Sequence, residues 1–370
     1  MIIGIPQEIK SDENRVAITP AGVHEFIKHG HSVIIEKSAG LASGITNSEF
    51  TSEGARIVAD AKDLFKNAEM IIKVKEPQPR EIDMLHPGQI LYTFLHLAPD
   101  RAQATGLIDK KVIAVAYETI SVGGKLVCLE PMSEIAGKIS AIVGSYYLAK
   151  PHGGKGVLAG GVPGVHKATF VILGGGTAGM NAARVAAGLG VKVVIMDTNV
   201  ERMRYLADVL PNNCEMIMSN KVNIENELDS ADVIIGSVLI PGARAPKLIT
   251  GDMLSRLQPG TVIVDVSIDQ GGCVETSRPT THSDPIYELE GILHYCVANM
   301  PGAFPRSSTF ALVNATLPFG LLIADMGWKQ AARESNSIRE GLNIAQGKIV
   351  YRKVAESLGM SYTDISDLLK

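Results

Sequence analysis

The 370-residue sequence predicts an α/β protein of two doubly wound parallel-sheet domains, one of them a Rossmann dinucleotide-binding domain, joined by long helices. Three observations carry that expectation. Short β-branched and apolar runs alternate with helical stretches along most of the chain. The alternation comes in two series, separated at residues 133–149 by a segment with Ile135, Ile139, Ile142, Val143 and Tyr146 at helical spacing. Glycine is abundant, 37 residues, and clusters where the second series opens.

In the first series the strands are expected at Ile2–Ile5, Val33–Ile35, Met70–Val74, Ile90–Phe94 and Val112–Ala116, each bounded by glycine, proline or charge. Between the first two, Thr19 offers an N-cap, Pro20 the first helical position and Gly30 the stop. Ser133 is the expected N-cap of the separating helix. The second series places strands at Phe170–Leu173, Lys192–Met196, Glu215–Met218, Val233–Ile235, Val262–Val266 and Leu293–Val297. From about Ser307 the pattern is helical through Trp328, with further helices beyond. These late helices have no sheet of their own and are expected to pack onto the first domain. The expected boundaries are therefore 1–128 plus 307–370 for a discontinuous substrate domain, and 129–306 for the nucleotide domain.

Composition narrows the function classes. Lys+Arg number 35 against 39 Asp+Glu, a net charge of −4, which gives no reason to expect nucleic acid or an anionic membrane as partner. The four cysteines lie far apart, which suits reduced thiols in the cytoplasm and indicates neither a zinc site nor a disulfide framework. The opening MIIGIPQEIK lacks a signal-peptide pattern, and no apolar run approaches bilayer length, so no membrane span is expected.

A dinucleotide site is expected after Phe170–Leu173, which runs into Gly174-Gly175-Gly176-Thr177-Ala178-Gly179, a small-residue helix and a strand ending in Asp197. Gly174 permits the tight turn, Gly176 lets the backbone approach a pyrophosphate, and Gly179 lets helix pack on strand. The helix N-terminus offers unpaired N–H groups to the phosphates. Asp197 falls 18 residues after Gly179, where a carboxylate accepts from ribose hydroxyls and repels a 2′-phosphate. NAD is therefore expected over NADP, although Arg202 and Arg204 nearby are able to bind a phosphate. No second fingerprint occurs, which leaves the first domain to carry substrate.

In open α/β sheets ligands bind at the carboxyl ends of strands. Arg15, Lys75, His96 and Asp269 all follow expected strands. Two cations suit a carboxylate substrate, a histidine suits proton transfer, and an aspartate facing it suits orientation or water activation. Each has a plainer reading. Arg15 fits a solvated charge, Lys75 a partner of Glu76 or Glu118, His96 an ordinary surface or core histidine, and Asp269 a cap for the turn at Gly271. What favours function is that two facing domains would point all four into one cleft.

The motifs GIPQEIKSDENRVAITPAGV, KVKEP, TFLHLA, PMSEIAGK, GGVPGV, GGGTAG, DVSIDQGG with SRPTT, and VANMPGA resemble the alanine dehydrogenase family over essentially the whole chain. The related transhydrogenase α-subunit shares the opening and GGVPGV, with a poorer fit elsewhere. The resemblance implies reversible oxidation of L-alanine to pyruvate and ammonium, with NAD as hydride acceptor. It implies that Arg15 and Lys75 bind the substrate carboxylate, that His96 is the general acid/base and that Asp269 is the second catalytic group. Implied cofactor contacts are Ser133, Thr177, Ala178, Asp197, Arg202, Ser219, Val238, Leu239, Val266, Ser267, Ile268, Asp269, Arg278, Val297, Ala298, Asn299 and Met300. A homohexamer whose domains close over substrate is implied as well. Some relatives carry a cation-holding histidine next to tryptophan, but this chain reads Met326-Gly327-Trp328, so no metal is expected. The rival readings are a soluble nucleotide-binding component of a transhydrogenase, a dehydrogenase for another small amino acid, and an NAD-binding sensor.

Overall fold

Among the described residues, 1–238 and 245–370 of a computed structural model, fifteen strands follow in chain order. They are β1 (Ile2–Ile5), β2 (Ser32–Glu36), β3 (Arg56–Val58), β4 (Met70–Ile72), β5 (Ile90–Thr93), β6 (Ile113–Ala116), β7 (Thr169–Leu173), β8 (Lys192–Asp197), β9 (Cys214–Met218), β10 (Val233–Gly236), β11 (Val262–Asp265), β12 (Ile286–Leu289), β13 (Ile292–Tyr295), β14 (Leu342–Ala345) and β15 (Lys348–Ile349). The chain divides into two units, Met1–Met132 with Phe304–Lys370, and Ser133–Ala303.

The first unit holds a sheet in the order β15-β14-β6-β5-β4-β1-β2-β3. From β6 to β3 every pairing is parallel, and β14 and β15 add on antiparallel. Strands β4, β5 and β6 are buried at every position, as a sheet covered on both faces requires. Leu64, Phe65, Ile71, Leu91, Leu107 and Ile344 anchor one core layer. The helix Pro20–Lys28 starts as its sequence predicts, with Thr19 Oγ1 accepting the Gly22 N–H at 3.3 Å and Gly30 at φ +83° just past its end.

The second unit holds the order β12-β13-β11-β10-β7-β8-β9, all parallel except the β12–β13 hairpin. Phe170, Ile172, Val193, Ile195, Val233 and Val264 form its core with Ala182, Ala183 and Ala186 of the helix Thr177–Gly188, whose small side chains let it lie close on the sheet. In each unit the chain lays three strands to one side and then crosses over the first. The reversals fall between β1 and β4 and between β7 and β10, where such sheets open a crevice at their carboxyl ends.

Three expectations need correction, and the long C-terminal helix needs comment. The C-terminal segment is not only helical: β14 and β15 extend the first sheet through the turn Gln346-Gly347, both residues at positive φ (52° and 79°). Period-two apolar residues around that pair were the signal. Strands β3 and β12 also escaped the sequence pattern, being a three-residue edge and a half-exposed edge. Ser133 is no N-cap, because the helix begins at Glu130; Pro131 sits in the first turn, where its missing N–H costs nothing. Finally, the helix Pro305–Glu334 is long and apolar enough to cross a membrane, with a mean hydropathy of 1.5 in one window. Leucine, isoleucine, valine, phenylalanine and alanine carry that average, with Asn314, Thr316, Pro318 and Asp325 interrupting the apolar run, and Leu312, Val313, Thr316, Gly320 and Ile323 are buried within the first unit.

Candidate functional site

The second unit builds a glycine-lined loop at its reversal. Gly174 follows β7 at φ +96°, a conformation that side chains resist. A Cβ on Gly179 would lie 1.9 Å from the Gly174 carbonyl oxygen, so only glycine fits there. At Gly176, the N-cap of Thr177–Gly188, no side chain caps the helix and a Cβ would meet nothing within 4 Å. The first helical residues, Thr177 and Ala178, thus face an open approach suited to an anion. The residues present fit a dinucleotide pyrophosphate.

Asp197 ends β8 and binds this loop, its Oδ2 accepting the Gly175 N–H at 2.7 Å and its Oδ1 the Asn199 N–H at 2.8 Å. Arg202 Nε donates to the Gly175 carbonyl at 2.6 Å, so it braces the loop. The Ser219 N–H donates to the Asp197 carbonyl at 2.9 Å. Across the reversal, Ser237 Oγ donates to the Leu173 and Gly174 carbonyls, and Ser267 Oγ donates to the Val238 carbonyl at 2.8 Å. These contacts gather Gly174, Gly176, Gly179, Asp197, Arg202, Ser219, Val238 and Ser267 around one loop. Leu239 lies outside the described residues.

After β11 a short 3-10 turn carries Val266, Ser267, Ile268 and Asp269. Asp265, not Asp269, ties this turn down: its fully buried carboxylate accepts the N–H groups of Ser267 (3.1 Å) and Val274 (3.2 Å), and burial pushes its pKa up. Asp269 is left exposed on the turn. Val297 and Met300 are buried in the core that includes Phe170 and Ile172 of β7, and Val297 pairs with Thr280 near Arg278. The Arg278 guanidinium lies 4.1 Å over the Tyr287 ring, which stacks on the buried His294, and the Ala298 N–H donates to the Thr280 carbonyl. Ser133 sits in the first turn of Glu130–Tyr147.

The reversal of the first unit is built from charge. Arg15 is only 2% exposed, which rules out a solvated side chain. Its Nε donates to Glu13 Oε1 at 2.6 Å, its Nη2 also pairs with Glu13, and its Nη1 reaches Met132 Sδ at 3.0 Å. Just past β4, the fully buried Lys73 joins Glu8 (2.9 Å) and Glu81 (2.8 Å). Burial alone would favour neutral Lys73, but the two carboxylates hold its pKa above the ordinary value. Glu8 also accepts the backbone N–H groups of Val74 (2.6 Å) and Lys75 (3.4 Å), so it fixes the backbone that carries the Lys75 side chain.

Glu76 is the hub of the next shell. It pairs with Lys10, and its Oε2 lies 3.3 Å from His96 Nδ1. Burial opposes its ionisation, yet His96, Lys75 and Lys10 together hold its carboxyl well below the usual range. His96 itself follows β5 at φ +49°, with Glu118 accepting its N–H at 2.6 Å and that of Leu95 at 3.1 Å. Glu118 is thus a backbone clamp beside His96. Sequence reasoning missed Glu8, Glu13 and Lys73, and saw Glu76 as a partner for Lys75 and not for His96. The signal was present in Ile71-Ile72-Lys73-Val74-Lys75: a lysine beside a fully buried strand demands a buried carboxylate, and Glu8 and Glu13 stand in the loop after β1.

Residues 4–136 match the family model described as alanine dehydrogenase/PNT, N-terminal domain, and residues 140–352 the corresponding C-terminal domain. A protein named alanine dehydrogenase from Methanococcus maripaludis is 53% identical over 365 residues, 98% of each chain. A solved structure titled L-alanine dehydrogenase superposes with a TM-score of 0.93 at 44% identity, covering 97% of this chain and 99% of that one. A transhydrogenase structure from Sinorhizobium meliloti shares the fold at a TM-score of 0.81 and 22% identity, covering 95% of this chain and 99% of that one.

Proposed function

We propose, for a chain that belongs to the alanine dehydrogenase/PNT family, that it catalyses the reversible NAD-dependent oxidation of L-alanine: L-alanine, NAD⁺ and water give pyruvate, ammonium, NADH and a proton. One observation supports this division of labour above the rest. The chain has two strand-order reversals: a glycine loop follows the first strand of one, and Arg15, Lys75 and His96 follow β1, β4 and β5 of the other.

When bound, NAD supplies the hydride acceptor. Gly174–Gly179, Asp197, Ser219 and Val238 would hold it, with Asp197 favouring an unphosphorylated ribose. Arg15 and Lys75 bind the substrate carboxylate, Arg15 through its planar fork and Lys75 as a point charge. Fixing the carboxylate aims the Cα–H, a positioning effect that supplies on the order of 7–11 kcal/mol in favourable cases. His96 moves the protons as water adds to the imino acid and ammonia leaves. Asp269 carries negative charge suited to the cationic imine. Arg278 and Val297–Met300 supply further cofactor contacts. Family membership also supports a cytoplasmic homohexamer, checked by mass measurement in solution.

The test is purified protein with NAD and a panel of amino acids, followed by NADH absorbance. Alanine-dependent NADH formation is expected. Formation with a different small amino acid alone would reassign the substrate, and hydride exchange between nucleotides without any amino acid would favour transhydrogenase chemistry.

A further inference from the structure

Glu76 holds a lysine and a histidine at once. Its two oxygens do different work. One pairs with Lys10, and the other lies 3.3 Å from His96 Nδ1. The rest of His96 is also held. Its backbone sits at φ +49°, Glu118 accepts the N–H groups of Leu95 and His96, and its ring stacks on Phe94 at 5.7 Å and 20°. The imidazole therefore has a fixed plane and a fixed edge toward Glu76. A neutral imidazole carries one N–H, and the hydrogen bond at one nitrogen decides which. A carboxylate can only accept, so it selects the proton on Nδ1 and leaves the lone pair on Nε2.

Resting on the reading of His96 as the general acid/base, we infer that Glu76 is a positioning residue: it holds His96 in the Nδ1–H tautomer, so that Nε2 is the nitrogen that exchanges protons with substrate. The charged groups around the pair are Lys10 and Lys75 beside Glu76, and Glu118 at the His96 backbone. Lys10 and Lys75 keep Glu76 ionised, and an ionised acceptor is what the tautomer requires.

If Glu76 merely neutralised lysines, Glu76→Gln would perturb stability and leave the imidazole untouched. The test uses the full-length enzyme with NADH bound and isotopically labelled histidine, at a pH where imidazole is neutral. Among nine histidines, the His96 nitrogen signals are assigned by their loss in His96→Ala. The expected wild-type spectrum shows protonated Nδ1 and bare Nε2 for His96. Glu76→Gln, whose amide both donates and accepts, is expected to populate the Nε2–H form and lower kcat about 10–100-fold, with the pyruvate KM and NADH Kd within about twofold of wild type. Glu76→Asp is expected to restore part of kcat. A wild-type His96 in the Nε2–H form overturns the inference without any variant, should Glu76→Gln fail to fold. Loss of turnover in His96→Ala beside a wild-type tautomer and kcat in Glu76→Gln overturns it alone. Near-normal kcat in His96→Ala overturns the general acid/base reading beneath it.

Discussion

The two units lay their strands in the same order around the first strand, yet line the resulting crevices in opposite ways. After β7 the chain turns within residues 174–176 and enters a helix; after β1 it runs through residues 6–19 before its helix begins. The short turn presents backbone N–H groups and no side chains. The long one presents Glu8, Lys10, Glu13 and Arg15, with Lys73, Lys75, Glu76 and His96 arriving from β4 and β5. A pyrophosphate is bound by main chain and helix dipole, which needs close approach and hence glycine. A small carboxylate that must also react needs fixed cations and a proton carrier, which needs side chains held in place. On the proposed function, the same topology would serve binding in one unit and chemistry in the other, with loop length separating the two.

That contrast breaks if a change in one crevice is felt as a change in the other. The largest expected effect is His96→Ala, which should lower kcat by about 10²–10⁴ while NADH titration stays unchanged. Turnover kinetics beside fluorescence titration of NADH check both halves. In the other crevice, Gly179→Ala places a methyl 1.9 Å from the Gly174 carbonyl, so loop and helix must part. NADH affinity should fall about 10–100-fold, and calorimetric titration reads it directly. A wild-type affinity would show that the loop does not hold the nucleotide.

The smallest effect concerns acid. Glu76 has a pKa depressed below its ordinary value of 4.5 in the folded protein, despite burial, through His96, Lys75 and Lys10. Its contribution to stability is therefore complete above about pH 4.5 and is lost as pH falls from there toward the folded value. Glu76→Gln lacks that contribution. The stability gap between wild type and variant, from urea midpoints, should narrow by about 1–2 kcal/mol between neutral and strongly acid pH. A gap that stayed constant would remove the charge pairing at Glu76.

The two crevices were unequally legible in the sequence. The glycine loop could be read because its physics is local: Leu173 to Gly179 and Asp197 carry the strand, turn, helix and acid in order. The first unit was read at its ends, Arg15, Lys75 and His96, but not in the carboxylates that hold them. Glu8 lies 65 residues from Lys73, and Glu76 lies 20 from His96, so only the strand order brings those pairs together. Ser133 shows the opposite failure, since a good N-cap residue lost to Pro131, which starts the helix earlier. The hairpin Leu342–Ile349 was overridden by the helical pattern before it, though Gln346-Gly347 marked its turn.

The structure also decides which arginine variant is informative. Removing the Arg15 side chain would take the paired cation from the buried Glu13 carboxylate, a change that costs about 3–5 kcal/mol and obscures any binding effect. Arg15→Lys keeps the charge and removes the planar fork. Measuring its pyruvate KM beside its NADH Kd tests the division between the two crevices most directly. A pyruvate KM raised about tenfold or more with an unchanged NADH Kd is the expected result. An unchanged pyruvate KM, or an NADH Kd that moves with it, would contradict the assignment of substrate to the first unit and nucleotide to the second.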